Sequence, residues 1–410
     1  CEFSIRSTVI LKKILHRKNG LQAEKTRRVW GKAILLLLIA AALAVAPLSC
    51  AFFRDENYTA AFGFRYDRDE EAPQRITFAA AGDNLIHSSI YKESCTDGAY
   101  DFSPIYHEIA PFISSFDIAF VNQETPLGAD GFSGYPRFCS PFAAGDALVE
   151  AGFDVIGIAN NHMLDRGAAG LIRTREYLEN TAELVVGGDT NGYRIIERDG
   201  VKIAFLAYTY STNCDGDIDV PRISEARITR QVTEAREAAD LVFVSMHWGI
   251  EYDIGGYVEC FHPTTNQEQL AELLTELGAD VVIGTHPHVL EGIEWKTASD
   301  GHKTLVAYSL GNLVSNMRFD KTLLGGILTL DIIKNKDYTY IDSARIYPIV
   351  CHYSTAYTGH KVYFLRDYTD ELAGCHGTCE QRNELPFCRE TLIKYYENNI
   401  PAEFRPEHYA

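Results

Sequence analysis

The sequence predicts an α/β fold whose functional site lies where parallel strands end. From Arg75 onward, short apolar runs alternate with amphipathic stretches, which is the pattern of strands separated by helices. Five of these runs pass directly into polar side chains, and ligands of α/β sheets bind outside the carboxyl ends of the strands. The predicted strands cover, in chain order, residues 76–81, 118–121, 154–159, 203–208, 241–246, 280–284 and 304–310.

Helices are predicted by their start and stop signals. Ser140 as N-cap, followed by a proline in the first turn, predicts a helix within 140–153. The stretch 264–280 has apolar residues three and four apart, and Gly278 stands where a C-terminal cap is expected. After Gly311 the sequence predicts a hairpin that finishes the domain and one later helix, at 325–333 with 338–350 and at 389–399.

The charge of the chain is very unevenly distributed. Residues 1–32 carry nine Lys or Arg against two Glu, a net charge of +7, so the overall charge of −18 leaves −25 for the remainder. Binding to nucleic acid phosphates requires a basic surface, so the acidic remainder argues against a nucleic acid partner. The run 33–53 has no charged residue and is long enough to span a bilayer, which takes roughly 20 apolar residues.

This N-terminal pattern predicts a protein attached to the cytoplasmic membrane. A basic segment before an apolar run favours a cytoplasmic N-terminus, so we expect a single-pass signal anchor with the acidic domain outside. The alternative is a signal peptide, because Pro47 and the small residues after it suit cleavage, which would leave a secreted protein or a lipoprotein beginning at Cys50. The expected parts are a basic cytoplasmic segment, the anchor or signal peptide, a linker, the folded domain and a C-terminal extension, at 1–32, 33–53, 54–74, 75–350 and 351–410.

Metal-ligating side chains follow five of the predicted strands. Each could be an ordinary turn or structural residue, but five such coincidences at equivalent positions are improbable. An extended H-x-H points both rings the same way, and we expect this of the last two histidines. The candidates are Asp83, Glu124, Asn161 with His162, His247, and His286 with His288.

Carboxylate and imidazole together suit divalent transition metal ions, namely Zn, Mn or Fe(II), and here fit two of them. Two ions roughly 3.5–4 Å apart can clamp a phosphoryl group and supply a hydroxide nucleophile. Asn161 offers a neutral oxygen ligand. His162, if it binds no metal, can protonate a leaving group or hold a phosphate oxygen. Because adjacent side chains diverge, only one of these two residues is expected to face the metals.

Six motifs in this order resemble the CapA family of poly-γ-glutamate capsule proteins, within the calcineurin-like metallophosphoesterase superfamily. The resemblance covers about residues 76–350, and the set is specific although each motif alone is weak. The motifs are G-D, N-x-E-T-P, A-N-N-H-x-x-D-x-G, H-W-G-x-E-Y, G-x-H-P-H-V and Y-S-L-G-N, at 82–83, 122–126, 159–167, 247–252, 284–289 and 308–312.

The resemblance implies a four-layer αββα sandwich and a role for each candidate. One metal would be held by Asp83, Glu124 and His288. Glu124 would bridge to a second metal, which Asn161, His247 and His286 would complete. His162 would be the catalytic acid, Asp165 and Gly167 would shape the turn, and Glu251 and Asn312 would support the ligands from outside the metal sphere.

The sequence departs from the superfamily pattern at the first metal. Members usually begin D-x-H, whereas Asp83 is followed by Asn84 and Leu85, and His87 stands four residues on. Glu124 also replaces the usual bridging Asp. We therefore expect a first metal site that is weak or unusual, and superfamily membership alone does not establish phosphoesterase activity.

Several functions remain open on the sequence. The first is an envelope-associated, metal-dependent hydrolase or transferase in synthesis or export of the capsule polymer, acting on a phosphoester or a polyglutamate chain end. The second is a non-catalytic scaffold subunit of a capsule synthesis complex. A weaker third is an ecto-phosphoesterase or nucleotidase, which normally carries a second, base-binding domain for which residues 351–410 are too short.

Overall fold

Two β-sheets pack face to face in the computed structural model, which describes residues 73–251, 262–378 and 386–410. The predicted basic segment, the apolar run 33–53 and nearly all of the predicted linker lie outside the described residues. Within the described ranges, no helix is both long enough and apolar enough to cross a membrane.

The strands that form the two sheets include every predicted run. They are, in chain order, β1 (Gln74–Asn84), β2 (Ile118–Gln123), β3 (Val155–Gly157), β4 (Leu184–Val186), β5 (Arg194–Arg198), β6 (Val201–Thr209), β7 (Leu241–His247), β8 (Val281–Thr285), β9 (Ile293–Thr297), β10 (Lys303–Ala307), β11 (Asn312–Val314), β12 (Leu324–Lys334), β13 (Thr339–His352) and β14 (Lys361–Phe364).

The first sheet has the order β14-β13-β12-β1-β2-β3-β4, with β11 paired beside the end of β1. Strands β1 to β4 run parallel, which explains their continuous apolar sequences, since a central parallel strand is buried on both faces. The predicted hairpin is confirmed as the antiparallel pair β12 and β13. Strand β14 then extends the same sheet beyond residue 350.

The second sheet has the order β9-β10-β8-β7-β6-β5. Its four central strands, β10, β8, β7 and β6, are parallel, and an antiparallel strand closes each edge. The parallel strands of both sheets therefore have loops at their carboxyl ends, where the sequence predicts the functional site.

Helices pack on the outer faces of both sheets and, near the C-terminus, against the core between the sheets. They are α1 (Ser88–Glu93), α2 (Ser103–Tyr106), α3 (Ala110–Ile113), α4 (Ala143–Glu150), α5 (Gly167–Glu179), α6 (Glu225–Ala238), α7 (Thr265–Glu276), α8 (Asp370–Gly374) and α9 (Arg389–Asn399). Short 3₁₀ turns lie at Asp320–Leu323, Leu365–Asp367 and Ala402–Phe404. Two-residue strands pair Cys95–Thr96 with Ala99–Tyr100 and Leu127–Gly128 with Ser140–Pro141.

Three apolar cores separate four layers, which confirms the predicted αββα sandwich. Between the sheets, the Phe78 and Phe243 rings meet edge to face at 4.9 Å, with Phe205 5.3 Å from Phe243. Helices α1 to α5 pack on the outer face of the first sheet. Helices α6 and α7 pack on the outer face of the second, for example through Val232 and Leu274.

The helix signals were right at α7 and wrong at α4. Thr264 caps α7 in a capping box with Gln267, and Gly278 follows the helix with φ of 83°. Ser140 is not an N-cap, because its hydroxyl lies 2.8 Å from that of Thr125 in a short strand pair. Helix α4 therefore begins later, at Ala143, without a side-chain cap.

Candidate metal centre

The structure brings all six predicted ligands together where the two sheets meet. The first sheet supplies Asp83 near the end of β1, Glu124 directly after β2 and Asn161 after β3. The second sheet supplies its share from the last residue of β7 and the loop after β8, namely His247, His286 and His288. The strand-end pattern thus predicted the convergence of these side chains.

Asp83 is held rigidly by backbone and side-chain contacts. Its own N–H donates to the Gly311 carbonyl at 2.9 Å, and a Cβ on Gly82 would lie 1.9 Å from that same carbonyl oxygen, so only glycine fits there. Asn122 donates to Asp83 Oδ1 at 2.7 Å and the backbone N–H of His286 to Oδ2 at 3.1 Å. The carboxylate is therefore fixed before any ligand binds.

Glu124 is a fully buried carboxylate whose charge is not satisfied. Neither of its oxygens has a hydrogen-bond partner in the part of the chain that the structure describes. Oε1 lies 3.6 Å from His288 Nε2 and 3.8 Å from His247 Nε2, both too long for hydrogen bonds. Ligand atoms of Glu124, His286 and His288 all lie within 4.8 Å of one another. Such an arrangement is costly without a bound cation.

Two of the three imidazoles, those of His247 and His286, are prepared as neutral ligands. His247 Nδ1 lies 3.0 Å from the Thr285 hydroxyl, which leaves Nε2 facing Glu124 and 3.1 Å from Asn161 Oδ1. Burial lowers the pKa of both His247 and His286 well below the usual histidine value. Neutral imidazole is the form that binds a metal, and supporting hydrogen bonds of this kind fix the ring that does so.

The prediction that the H-x-H segment is extended is wrong, although both of its rings do reach the same ligand cluster. Strand β8 ends at Thr285, and His286 and His288 have φ of 100° and 58°, values that non-glycine residues seldom adopt. The ring planes are 59° apart with centroids 6.0 Å apart. These two backbone bends, rather than strand geometry, bring both rings towards Glu124.

Asn161 and His162 point in different directions, as expected of neighbours. Asn161 faces the ligand cluster, whereas His162 Nδ1 lies 2.7 Å from Asp165 Oδ2. Asp165 also accepts the Phe138 N–H at 2.7 Å, and the Phe138 ring meets His162 edge to face at 4.6 Å. Asp165 therefore orients His162 in addition to shaping the turn.

Tyr210 is a site residue that the sequence reasoning missed. Its ring centroid lies 4.4 Å from that of His286, its N–H donates to the His247 carbonyl at 2.9 Å, and 42% of the residue is exposed. Burial, with the charges of Glu251 and Glu124, raises the pKa of Tyr210 to about 12, so it keeps its proton at neutral pH. Tyr210 directly follows β6, so its position fits the strand-end pattern. Tyrosine is not among the Asp, Glu, Asn and His side chains that define the predicted ligands.

The structure agrees with the sequence that a leucine stands where the D-x-H pattern has its histidine. Leu85 is buried, and His87 Nδ1 lies 3.1 Å from the Leu85 carbonyl and 3.2 Å from the Asn316 N–H. Asn312, in contrast, does support a ligand, because its Oδ1 lies 3.0 Å from His288 Nδ1. The donor set as a whole, with its orphaned carboxylate and neutral imidazoles, fits a divalent transition metal.

The fold and these side chains together define a layered α/β protein with a candidate divalent-metal centre. The chain belongs to the bacterial capsule synthesis protein PGA_cap family, whose model matches residues 77–317. This confirms the family resemblance seen in the motifs.

Two curated relatives carry capsule names. The chain is 27% identical over 276 residues to the capsule biosynthesis protein CapA of Bacillus anthracis, covering 61% of this chain and 62% of that protein. It is 31% identical over 208 residues to the PGA biosynthesis protein CapA of Bacillus subtilis (strain 168), covering 46% of this chain and 49% of that protein. The chain therefore spans less than two thirds of each relative's length.

Solved structures show a distant likeness. A novel phosphatase from Mycoplasma pneumoniae is 13% identical with a TM-score of 0.44, covering 68% of this chain and 95% of that one. The calcineurin-like phosphoesterase YfkN from Bacillus subtilis is 13% identical with a TM-score of 0.41, covering 80% of this chain and 97% of that one.

Metal binding should tighten as the pH rises from 6 to 8. Burial alone would lower the pKa of His288, but Glu124 and Asp83 outweigh it and raise that pKa to about 10, while burial raises the pKa of Glu124 well above its usual value. The metal-free pair therefore holds at least one proton at neutral pH, and a metal must displace it. Calorimetric titration with Mn²⁺ in two buffers of different ionisation heat would measure the proton release. Affinity that is independent of pH, without proton release, would contradict this.

Proposed function

We propose that this protein is a metal-dependent hydrolase or transferase of capsule polymer synthesis, acting at the cell envelope on a phosphoester or on a polyglutamate chain end. Residues 33–53 would hold it in the cytoplasmic membrane with the acidic domain outside. The observation that carries the proposal is the buried, unpaired carboxylate of Glu124 among three histidines, with the His162–Asp165 pair beside it. The names of the two Bacillus relatives support the capsule context.

The chemistry divides between the ligands and His162. Bound divalent ions, held by Asp83, Glu124, Asn161, His247, His286 and His288, would supply Lewis acidity and an activated water. His162 donates its Nδ1 proton to Asp165, so Nε2 is the nitrogen that can hold a proton for the leaving-group oxygen. Asn213 lies close to His162, with its amide nitrogen 3.3 Å from Nδ1 and 3.4 Å from Nε2.

The negative charge of the domain limits which anionic substrates can approach the site. Polyglutamate is a polyanion, and a remainder of −25 would repel it at long range, more strongly at low salt. Bound metals would offset this only near the site. A chain end, or a single phosphoester group, that reaches the metals therefore fits better than a long polymer lying across the surface.

A non-catalytic scaffold subunit of a capsule synthesis complex is the second candidate, and one observation favours it. Leu85 takes the place of the superfamily histidine, and His87 is turned towards the Leu85 carbonyl and the Asn316 N–H instead. A centre that is short of one ligand could still stabilise the fold while lacking turnover.

A metal-dependent activity screen separates the two candidates. The full-length protein, purified in detergent, would be stripped with a chelator, reloaded with Mn²⁺, Zn²⁺ or Fe²⁺, and assayed on a panel of phosphoesters and on poly-γ-glutamate. We expect hydrolysis of at least one class that disappears on stripping and returns on reloading. A reloaded protein that binds metal yet turns over nothing in the panel would favour the scaffold role.

A further inference from the structure

Glu251 lies closer to the ligand cluster than its position in the sequence suggests. Its Oε1 is 3.7 Å from His286 Nδ1, 3.9 Å from His288 Nε2 and 3.4 Å from Asn161 Nδ2. It stands four residues after His247, the last residue of β7. One carboxylate oxygen therefore faces three of the six predicted ligands at once.

These distances do not describe a satisfied ion pair. Both contacts to imidazole nitrogens exceed hydrogen-bond length, and the Asn161 amide, at 3.4 Å, is at the long limit of a hydrogen bond. His286 Nδ1, the nitrogen that Glu251 approaches, is buried and has no hydrogen-bond partner in the described ranges. An unpaired nitrogen facing a carboxylate at this separation leaves room for a cation that both could bind.

The Nε2 atom of His288 is approached by two carboxylates. His288 Nε2 lies 3.6 Å from Glu124 Oε1 and 3.9 Å from Glu251 Oε1. The Glu124 side chain is fully buried, whereas that of Glu251 is 35% exposed, so one carboxylate approaches from the interior and the other from the solvent side. The cluster is thus enclosed by carboxylate on both sides.

The first predicted metal also needs a further ligand. Without a histidine at the D-x-H position, it would be left with Asp83, Glu124 and His288, because Leu85 cannot ligate and His87 faces other groups. Divalent transition metals in proteins take four or more ligands, and a carboxylate can bridge two of them. Three carboxylates would also balance most of the charge of two divalent ions.

We infer that Glu251 is itself a metal ligand, which adds a carboxylate to a donor set that lacks the histidine of the D-x-H pattern. The inference rests on the metal centre of the proposed function and does not depend on turnover. It changes the role of Glu251 from supporting the ligands to binding the metal directly.

Metal titration of a Glu251→Gln variant tests this role. Glutamine keeps the size and the amide-facing contact but removes the charge that a metal would bind. Stripped full-length proteins would be titrated with Mn²⁺ and the bound ions counted. We expect Glu251→Gln to lose one bound ion even at saturating Mn²⁺, since a residue that only supports the ligands would weaken binding by about 10–100-fold and leave the number of bound ions unchanged. The control is Glu237→Gln, an exposed glutamate of α6, which should bind metal like the parent.

The outcomes separate this inference from the proposed function. Unchanged stoichiometry in Glu251→Gln at saturating Mn²⁺, even with weaker affinity, would overturn the ligand role, whatever the activity of the parent. A parent that binds metal but has no activity, with a Glu251→Gln variant that binds less, would support the ligand role and count against the hydrolase. A matching thermal melt of the stripped variants would show that any loss of metal is not a loss of fold.

Discussion

His162→Ala should lower turnover by roughly 10²–10⁴-fold and leave the metal content close to that of the parent. The loss corresponds to about 3–5 kcal/mol of barrier. The expectation follows from the directions in which two neighbouring side chains point. His162 faces Asp165 and Phe138, while Asn161 faces the ligand cluster. Turnover on the substrate found in the screen, measured together with metal stoichiometry, checks both halves of the prediction.

A matched control and a second variant sharpen this test. His107, an exposed histidine after α2, can be changed to Ala without effect on turnover. Asp165→Asn should reproduce part of the loss, because the asparagine can no longer hold the Nδ1 proton of His162 as a carboxylate does. If His162→Ala instead loses metal, His162 is a ligand and the assignment as acid is wrong.

His247→Ala should remove bound metal and with it most of the activity. His247 is fully buried, and its Nε2 faces both Glu124 and Asn161, so its removal takes a donor from the centre of the ligand cluster. Without the ligand, the hydroxide nucleophile that a metal supplies at neutral pH is lost. Metal analysis and turnover of the same preparation measure the effect, with His162→Ala as the comparison that keeps metal.

Truncating a buried side chain also risks the fold, so His247→Gln should be made beside His247→Ala. Both variants, stripped of metal, should show a single thermal unfolding transition. A His247→Ala protein that keeps its full metal content would remove this residue from the centre. If the parent protein shows no activity in the screen, the variants would still test metal binding, and the scaffold role would be favoured over the hydrolase.

The sequence predicted most of the sheets because their central strands are apolar on both faces. It missed the short or half-exposed strands β4, β5, β9, β11 and β14, which contain at most three consecutive apolar residues. These strands are defined by pairing with distant neighbours rather than by local pattern, as β11 is by its pairing with the end of β1. Helix α4 was misplaced at its start for a related reason, since Ser140 is taken up by a strand pair.

The candidate site was predictable in its members and less so in its geometry. Strand ends brought Asp83 to His286 across 203 residues of sequence, as the contact between them shows. The backbone bends at His286 and His288 have no signal in the sequence, because neither residue is glycine. Tyr210 follows a strand end and was within reach of the same rule, whereas the proximity of Glu251 to His286 is a contact between distant parts of the chain that single-sequence patterns do not record.

Because the ligands are divided between the two sheets, the free energy of unfolding should depend on the concentration of free metal. Three ligands come from each sheet, so an unfolded or half-packed chain has no complete site and only the fully assembled sandwich can capture the ion. By mass action, each tenfold rise of free metal above the dissociation constant would add about 1.4 kcal/mol to the free energy of unfolding. The protein would then be most durable where divalent metal is plentiful, and a chelator would loosen the interface between its sheets as well as empty its centre.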